Sequence, residues 1–115
     1  DLLDQISVVE PIGYREFLGL GAESAFLVSD SGGVQEEVSV YKRPVLVVRR
    51  STERPEVLGS FAERVEPGPD IGRVAGAWAD DLDTVHERLA STPSPYGDGS
   101  ASQRSVDAIR SLIDA

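Results

Sequence analysis

The chain has 115 residues, room for one small domain, and a net charge of −9 from 20 acids against 11 lysines and arginines. That surplus of acids, with no basic patch, argues against nucleic acid and anionic membranes as partners. Cysteine is absent and there is one histidine, so disulfides and thiolate metal sites are excluded, a zinc site is not expected, and nothing calls for a metal or cofactor. No apolar run reaches membrane-spanning length and no signal-peptide pattern opens the chain, so a soluble, cytoplasmic protein is expected.

The first predicted element is a strand, Ile6 to Val9, stopped by Pro11. Tyr14 to Leu20 reads as a short helix with Tyr14, Phe17 and Leu18 on one side and Gly21 at its end. Phe17 is either a core residue or a platform for a ligand. Ala25 to Val28 is an apolar run too short for a helix and reads as a buried strand. Ser29-Asp30-Ser31-Gly32-Gly33 follows as a tight turn. Val34, Val38 and Tyr41 then recur at helical spacing, with Gln35, Glu36 and Glu37 between them. This helix ends near Lys42-Arg43, and after Pro44 comes a β-branched run, Val45 to Val48, which reads as a buried parallel strand. Strands separated by short helices spell βαβαβ, hence an α/β fold with a parallel Rossmann-like sheet flanked by helices.

In such sheets ligands bind outside the carboxyl ends of the strands, where the Ser31 turn lies. A helix start leaves backbone N–H groups unpaired and carries partial positive charge, so it suits an anion. Gly32 and Gly33 lack a Cβ and let a phosphate approach the backbone. Ser31 either offers its hydroxyl to a phosphate or caps the helix. Glu37, one turn further in, is an acceptor suited to a sugar diol. Arg49, Arg50 and Arg54 leave the next strand on the same sheet edge. Either they answer that anion or they pair with nearby acids.

Further on, Ala62 to Val65 reads as a last short strand and Glu66 to Pro69 as a turn, with Asp70 as N-cap of the next helix. Ile71, Val74, Trp78, Leu82, Val85 and Leu89 form one helical stripe with a break near Asp80-Asp81. Trp78 reads as packing, and His86 lies off the stripe as a solvated residue. Ser91 to Gly99 is a Pro/Gly loop, and a final helix runs from about Ser100 to Ile113 within a terminal segment, 100–115.

Three stretches in this order resemble the non-hydrolysing UDP-N-acetylglucosamine 2-epimerases: Ser29-Asp30-Ser31-Gly32-Gly33-Val34-Gln35-Glu36-Glu37, Thr52-Glu53-Arg54-Pro55-Glu56 and Pro95-Tyr96-Gly97-Asp98-Gly99. Glu10-Pro11 before Tyr14 and Phe17 also fits. The resemblance covers nearly the whole chain. It implies a glycosyltransferase-B arrangement of two Rossmann-like domains, of which residues 1–115 correspond to the latter, UDP-binding part of the second. It implies interconversion of UDP-N-acetylglucosamine (UDP-GlcNAc) and UDP-N-acetylmannosamine (UDP-ManNAc) by elimination and re-addition of UDP, in an enzyme that is a homodimer when intact. By position, Ser31, Gly32 and Gly33 bind the diphosphate and Glu37 the ribose hydroxyls. Phe17 lies against the uracil, the backbone near Ile12 reads its edge, and Arg54 contacts the ligand. The acid/base carboxylates of the family belong to its first domain, so no catalytic residue is expected in this chain. The expectation is a fragment, inactive alone, with an exposed sheet edge prone to pair with the missing N-terminal domain or another chain.

Three positions depart from the family pattern. Lys42 stands where the family usually has Gly, Ser60-Phe61 where it often has a small-Gly pair, and Ile12 where relatives are often polar. Two alternatives remain open beside the epimerase: a UDP-sugar glycosyltransferase of the same fold, and a non-catalytic nucleotide-sugar binding module.

Overall fold

Val45, Leu46 and Val47 are wholly buried, and the molecule is layered around them. In this computed structural model, which describes all 115 residues, they belong to β2 (Val45–Val48), the middle strand of a three-stranded parallel sheet. β1 (Leu27–Ser29) lies on one side of it and β3 (Ala62–Val65) on the other. Both faces of β2 are covered, which is why its sequence is continuously apolar rather than alternating.

The helices are α1 (Tyr14–Glu23), α2 (Gly32–Tyr41), α3 (Asp70–Asp80), α4 (Leu82–Ala90) and α5 (Ala101–Ile113). Val45 and Val47 pack with Val34 and Val38 of α2, Val57, Phe61 and Leu89 of α4. Leu46 points to the opposite layer, where it meets Val65 and Val74 of α3, with Ile71 and Trp78 at the margin. Trp78 stacks edge-on against Phe26 at 5.9 Å between ring centroids. The stripe from Ile71 to Leu89 therefore serves both faces of the sheet. It does so because the helix breaks at Asp81 (φ −137°, ψ 42°) and α4 wraps round to the α2 side.

Several expectations need correction. Ile6–Val9 is not a strand: it runs extended without a sheet partner, with Val8 91% exposed, after a 3-10 turn at Leu2–Gln5. The third strand of the sheet is Ala62–Val65 instead. The helix that begins at Tyr14 runs on to Glu23, with Gly21 buried inside it against α2, where a Cβ would meet the Tyr41 hydroxyl at 2.7 Å. Asp70 is the first helical residue of α3, not its cap. Pro69 holds the cap position, and the Asp70 carboxylate accepts a hydrogen bond from Arg73 Nε at 2.9 Å.

The Lys42 departure has a visible consequence. Lys42 ends α2 in the left-handed conformation, φ 61°, which ordinarily favours glycine. Its side chain is held by a hydrogen bond from Nζ to the Thr92 carbonyl (2.6 Å) and lies over the Phe61 ring at 5.1 Å. Phe61 is thus a wholly buried core side chain that also seats Lys42.

Candidate functional site

The parallel register sets Ser29 beside Val47, so the Ser31 turn and the Arg49–Arg54 loop leave the same edge of the sheet. Ser31 occupies the N-cap position of α2 in extended conformation (φ −81°, ψ 135°), yet its hydroxyl bonds to no helix N–H. It is exposed and unspent. Its backbone N–H instead donates to Ser29 Oγ at 3.1 Å, which fixes the turn. No acidic side chain lies in the first turn of α2, so its positive end is not neutralised from within the helix.

A foreign carboxylate is there instead. A Cβ added to Gly32 would collide with Oε1 of Glu53. Arg49 Nη1 donates to both oxygens of Glu53, at 2.8 and 3.1 Å, and Arg54 Nη1 stands 3.8 Å from Oε1. The backbone N–H of Glu53, and after it the Arg49 guanidinium, hold the Glu53 carboxyl below the usual glutamate range. Arg54 Nε donates to Glu36 of α2, which pushes the Arg54 pKa up. In the unliganded chain Arg49 and Arg54 are therefore paired with acids. The fold nonetheless brings Ser31, Gly32 and both arginines to one place.

Two further links, missed in the sequence, hold the site in shape. Gln35 is wholly buried in α2. Its Nε2 donates to the Ser31 carbonyl (3.3 Å) and its Oε1 accepts from Thr52 Oγ1 (2.7 Å), which in turn accepts from the Arg54 N–H (3.0 Å). One amide thus ties the Ser31 turn to the Arg54 loop. On the other side of α2, Tyr14 of α1 donates its hydroxyl to Glu37 Oε1 at 2.9 Å. That bond to a carboxylate raises the Tyr14 pKa, so the phenol keeps its proton at neutral pH.

Phe17 is half-buried and packs against the core, while another part of it lines a cleft of about 260 Å³ with Leu20, Leu27, Val28 and Ser29. Its packing against the core bears out the core reading. Ile12 lies exposed in the extended stretch just before α1. His86 is not the solvated residue expected: its Nε2 lies 2.6 Å from the Ala25 carbonyl and ties α4 to the chain entering β1. In the Pro95–Gly99 loop, Gly97 and Gly99 both take positive φ (100° and 85°), which explains that motif's two glycines. Ser94, just ahead of it, bonds Ser39 of α2 at 2.7 Å and so docks the loop behind the site.

The family model for UDP-N-acetylglucosamine 2-epimerase matches residues 1–110. A UDP-N-acetylglucosamine 2-epimerase of Salmonella borreze is 37% identical over 111 residues, which are 95% of this chain and 29% of that relative. A solved Neisseria meningitidis UDP-GlcNAc 2-epimerase bound to UDP-GlcNAc superposes with a TM-score of 0.79 at 32% identity, over 96% of this chain and 31% of the other. An S. aureus MnaA–UDP complex does so with a TM-score of 0.77 at 32% identity, over 96% and 30% respectively. The chain therefore spans a little under a third of the length of the relatives it matches.

Proposed function

The chain belongs to the UDP-N-acetylglucosamine 2-epimerase family, and from that membership we propose that residues 1–115 are its UDP-holding part. The diphosphate takes the start of α2 at Ser31, Gly32 and Gly33. Glu37 accepts hydrogen bonds from the ribose hydroxyls, Arg54 neutralises the diphosphate, and the base enters the cleft beside Phe17 with the backbone near Ile12 at its edge. The observation that carries this reading is the uncapped N-terminus of α2, with an unspent Ser31 hydroxyl and two guanidinium groups converging on Gly32.

In the reaction proposed for the whole enzyme, UDP leaves C1 of the hexosamine as the C2 proton is removed, and returns after C2 has changed configuration. This chain's share is the leaving group. Negative charge grows on the diphosphate oxygen as the C1–O bond breaks. On this reading the N–H groups at the start of α2 and the Arg54 guanidinium, once exchanged from its acids, stabilise it. Three acids beside the site are engaged, Glu36 by Arg54, Glu37 by Tyr14 and Glu53 by Arg49. Following the family resemblance, which implies acid/base carboxylates in the first domain, the proton transfer at C2 is assigned to no residue among 1–115. Recognition of the epimerase family favours this reading over a glycosyltransferase of the same fold.

The test is calorimetric titration of the purified chain with UDP, with inorganic phosphate as comparison. Glu37→Gln and Arg54→Ala are each expected to weaken UDP about 10-fold, the scale of one charge-assisted hydrogen bond. UDP affinity unchanged from wild type in both variants would overturn the reading.

A further inference from the structure

Glu37 is not a free carboxylate on a helix surface. It is only half-exposed, and the hydroxyl of Tyr14, from a different helix 23 positions away, is fixed on Oε1 at 2.9 Å. α1 and α2 lie side by side here, and the two residues line an apolar groove of about 360 Å³ together with Leu18, Ala22, Val40 and Tyr41. The Tyr41 hydroxyl is buried without a hydrogen-bond partner, so it does not compete for Glu37.

A carboxylate offers about four lone-pair directions on its two oxygens. Binding a vicinal diol uses two of them at once and requires the plane of the carboxylate to be set. A glutamate held only by its backbone has three free torsions, and each mobile side chain stopped on binding costs affinity. The Tyr14 bond stops one oxygen in advance and leaves Oε2 and the remaining lone pair of Oε1 unoccupied. The phenol keeps its proton across neutral pH, so it donates and never competes as an anion.

We infer that Tyr14 is a positioning residue: through its hydrogen bond to Glu37 Oε1 it presets that carboxylate for a ribose diol, so that the site distinguishes a ribonucleoside diphosphate from its 2′-deoxy counterpart. The inference rests on the UDP-holding reading above and adds to it a residue that acts only through Glu37. Tyr14 is 65% exposed, and Tyr14→Phe keeps the ring and removes only the donor.

The experiment is calorimetric titration of the purified chain with UDP and with 2′-deoxy-UDP, using wild type, Tyr14→Phe, Glu37→Ala and the double variant, each checked by circular dichroism. Tyr14→Phe is expected to weaken UDP roughly 3- to 10-fold, the scale of one hydrogen bond to a carboxylate at an open site, and to weaken 2′-deoxy-UDP less, because only its 3′-hydroxyl remains for Glu37. Added to Glu37→Ala, it is expected to have no further effect, because nothing is left to position. Equal weakening of both nucleotides, or an undiminished Tyr14 effect in the Glu37→Ala background, would overturn the positioning role while UDP binding itself stands. Failure of wild type to bind either nucleotide would overturn the UDP-holding reading and this inference with it.

Discussion

Ser31, Glu37 and Arg54 were legible as candidates because their chemistry is local: a helix start, an acceptor one turn in, a cation after a strand. Glu53 was not, although it stands next to Arg54, because only the fold of the loop carries its carboxylate back over Gly32. There it engages Arg49 and covers the helix start where the diphosphate is proposed to sit. On that proposal UDP binding is an exchange of one anion for another. Glu53→Gln keeps the shape, removes the charge, and is expected to tighten UDP by about 3-fold or more at neutral pH, read by calorimetry. Weaker binding would show that Glu53 scaffolds the arginines rather than competing for them. The same carboxylate has a pH signature. Its pKa is lowered in the folded chain, so its contribution to stability is complete above the unfolded glutamate value of about 4.3 and is lost as pH falls through the lower folded value. The stability gap between wild type and Glu53→Gln is therefore expected to close on acidification below about pH 4, in urea melts run across that range.

At the scale of elements, similar runs met different fates. Val45–Val48 and Ile6–Val9 each carry three β-branched apolar residues, yet only the first lies between two strands that pair with its backbone. Strand propensity describes fit to a sheet, and the neighbour that supplies the sheet is not written in the run itself. The stripe from Ile71 to Leu89 was legible as a stripe. That its halves serve opposite faces depends on the break at Asp81. Gln35 looked like a spacer between valines, since its partner Thr52 is 17 positions away. Replacing it by Leu strands the Thr52 hydroxyl and the Ser31 carbonyl, and is expected to cost about 2 kcal/mol in urea unfolding. A cost under about 0.5 kcal/mol would show that the link between the two loops is not formed in solution. Lys42 gives a sharper comparison. Lys42→Ala keeps the left-handed strain and loses both the Thr92 bond and the Phe61 contact, whereas Lys42→Gly loses the contacts but also the strain. The glycine variant is expected to be about 1 kcal/mol more stable than the alanine variant. The reverse order would mean that the cap is not left-handed.

The whole molecule is larger than its mass requires. A folded chain of 12.3 kDa should expose about 6,100 Å² and have a radius of gyration near 13 Å; this one exposes 8071 Å² with a radius of 17.3 Å and a longest dimension of 68 Å. The excess, about 2,000 Å², is the scale of a substantial protein interface. Only 15 of 115 residues are buried, so the core around β2 is small and cannot be shared out further. Much of the exposed apolar surface sits at the two ends, in Leu2, Leu3, Ile6, Val8 and Val9, and in Val106, Ile109, Leu112 and Ile113 of α5. Every residue of α5 is exposed. A 13-residue helix with no buried residue is marginal in water, because nucleation is unfavourable and tertiary packing supplies most helix stability. Two outcomes follow for the isolated chain. The amides of α5 are expected to exchange hydrogen almost as fast as an unfolded peptide while those of β2 stay protected. Ending the chain at Ser100 is expected to move the thermal midpoint by less than about 2 °C, since no core contact is removed. A larger drop, or protected amides in α5, would show that this helix finds a docking face on the chain itself. The extended outline would then belong to one conformation among several, and the exposed apolar ends would not be free to pair with anything else.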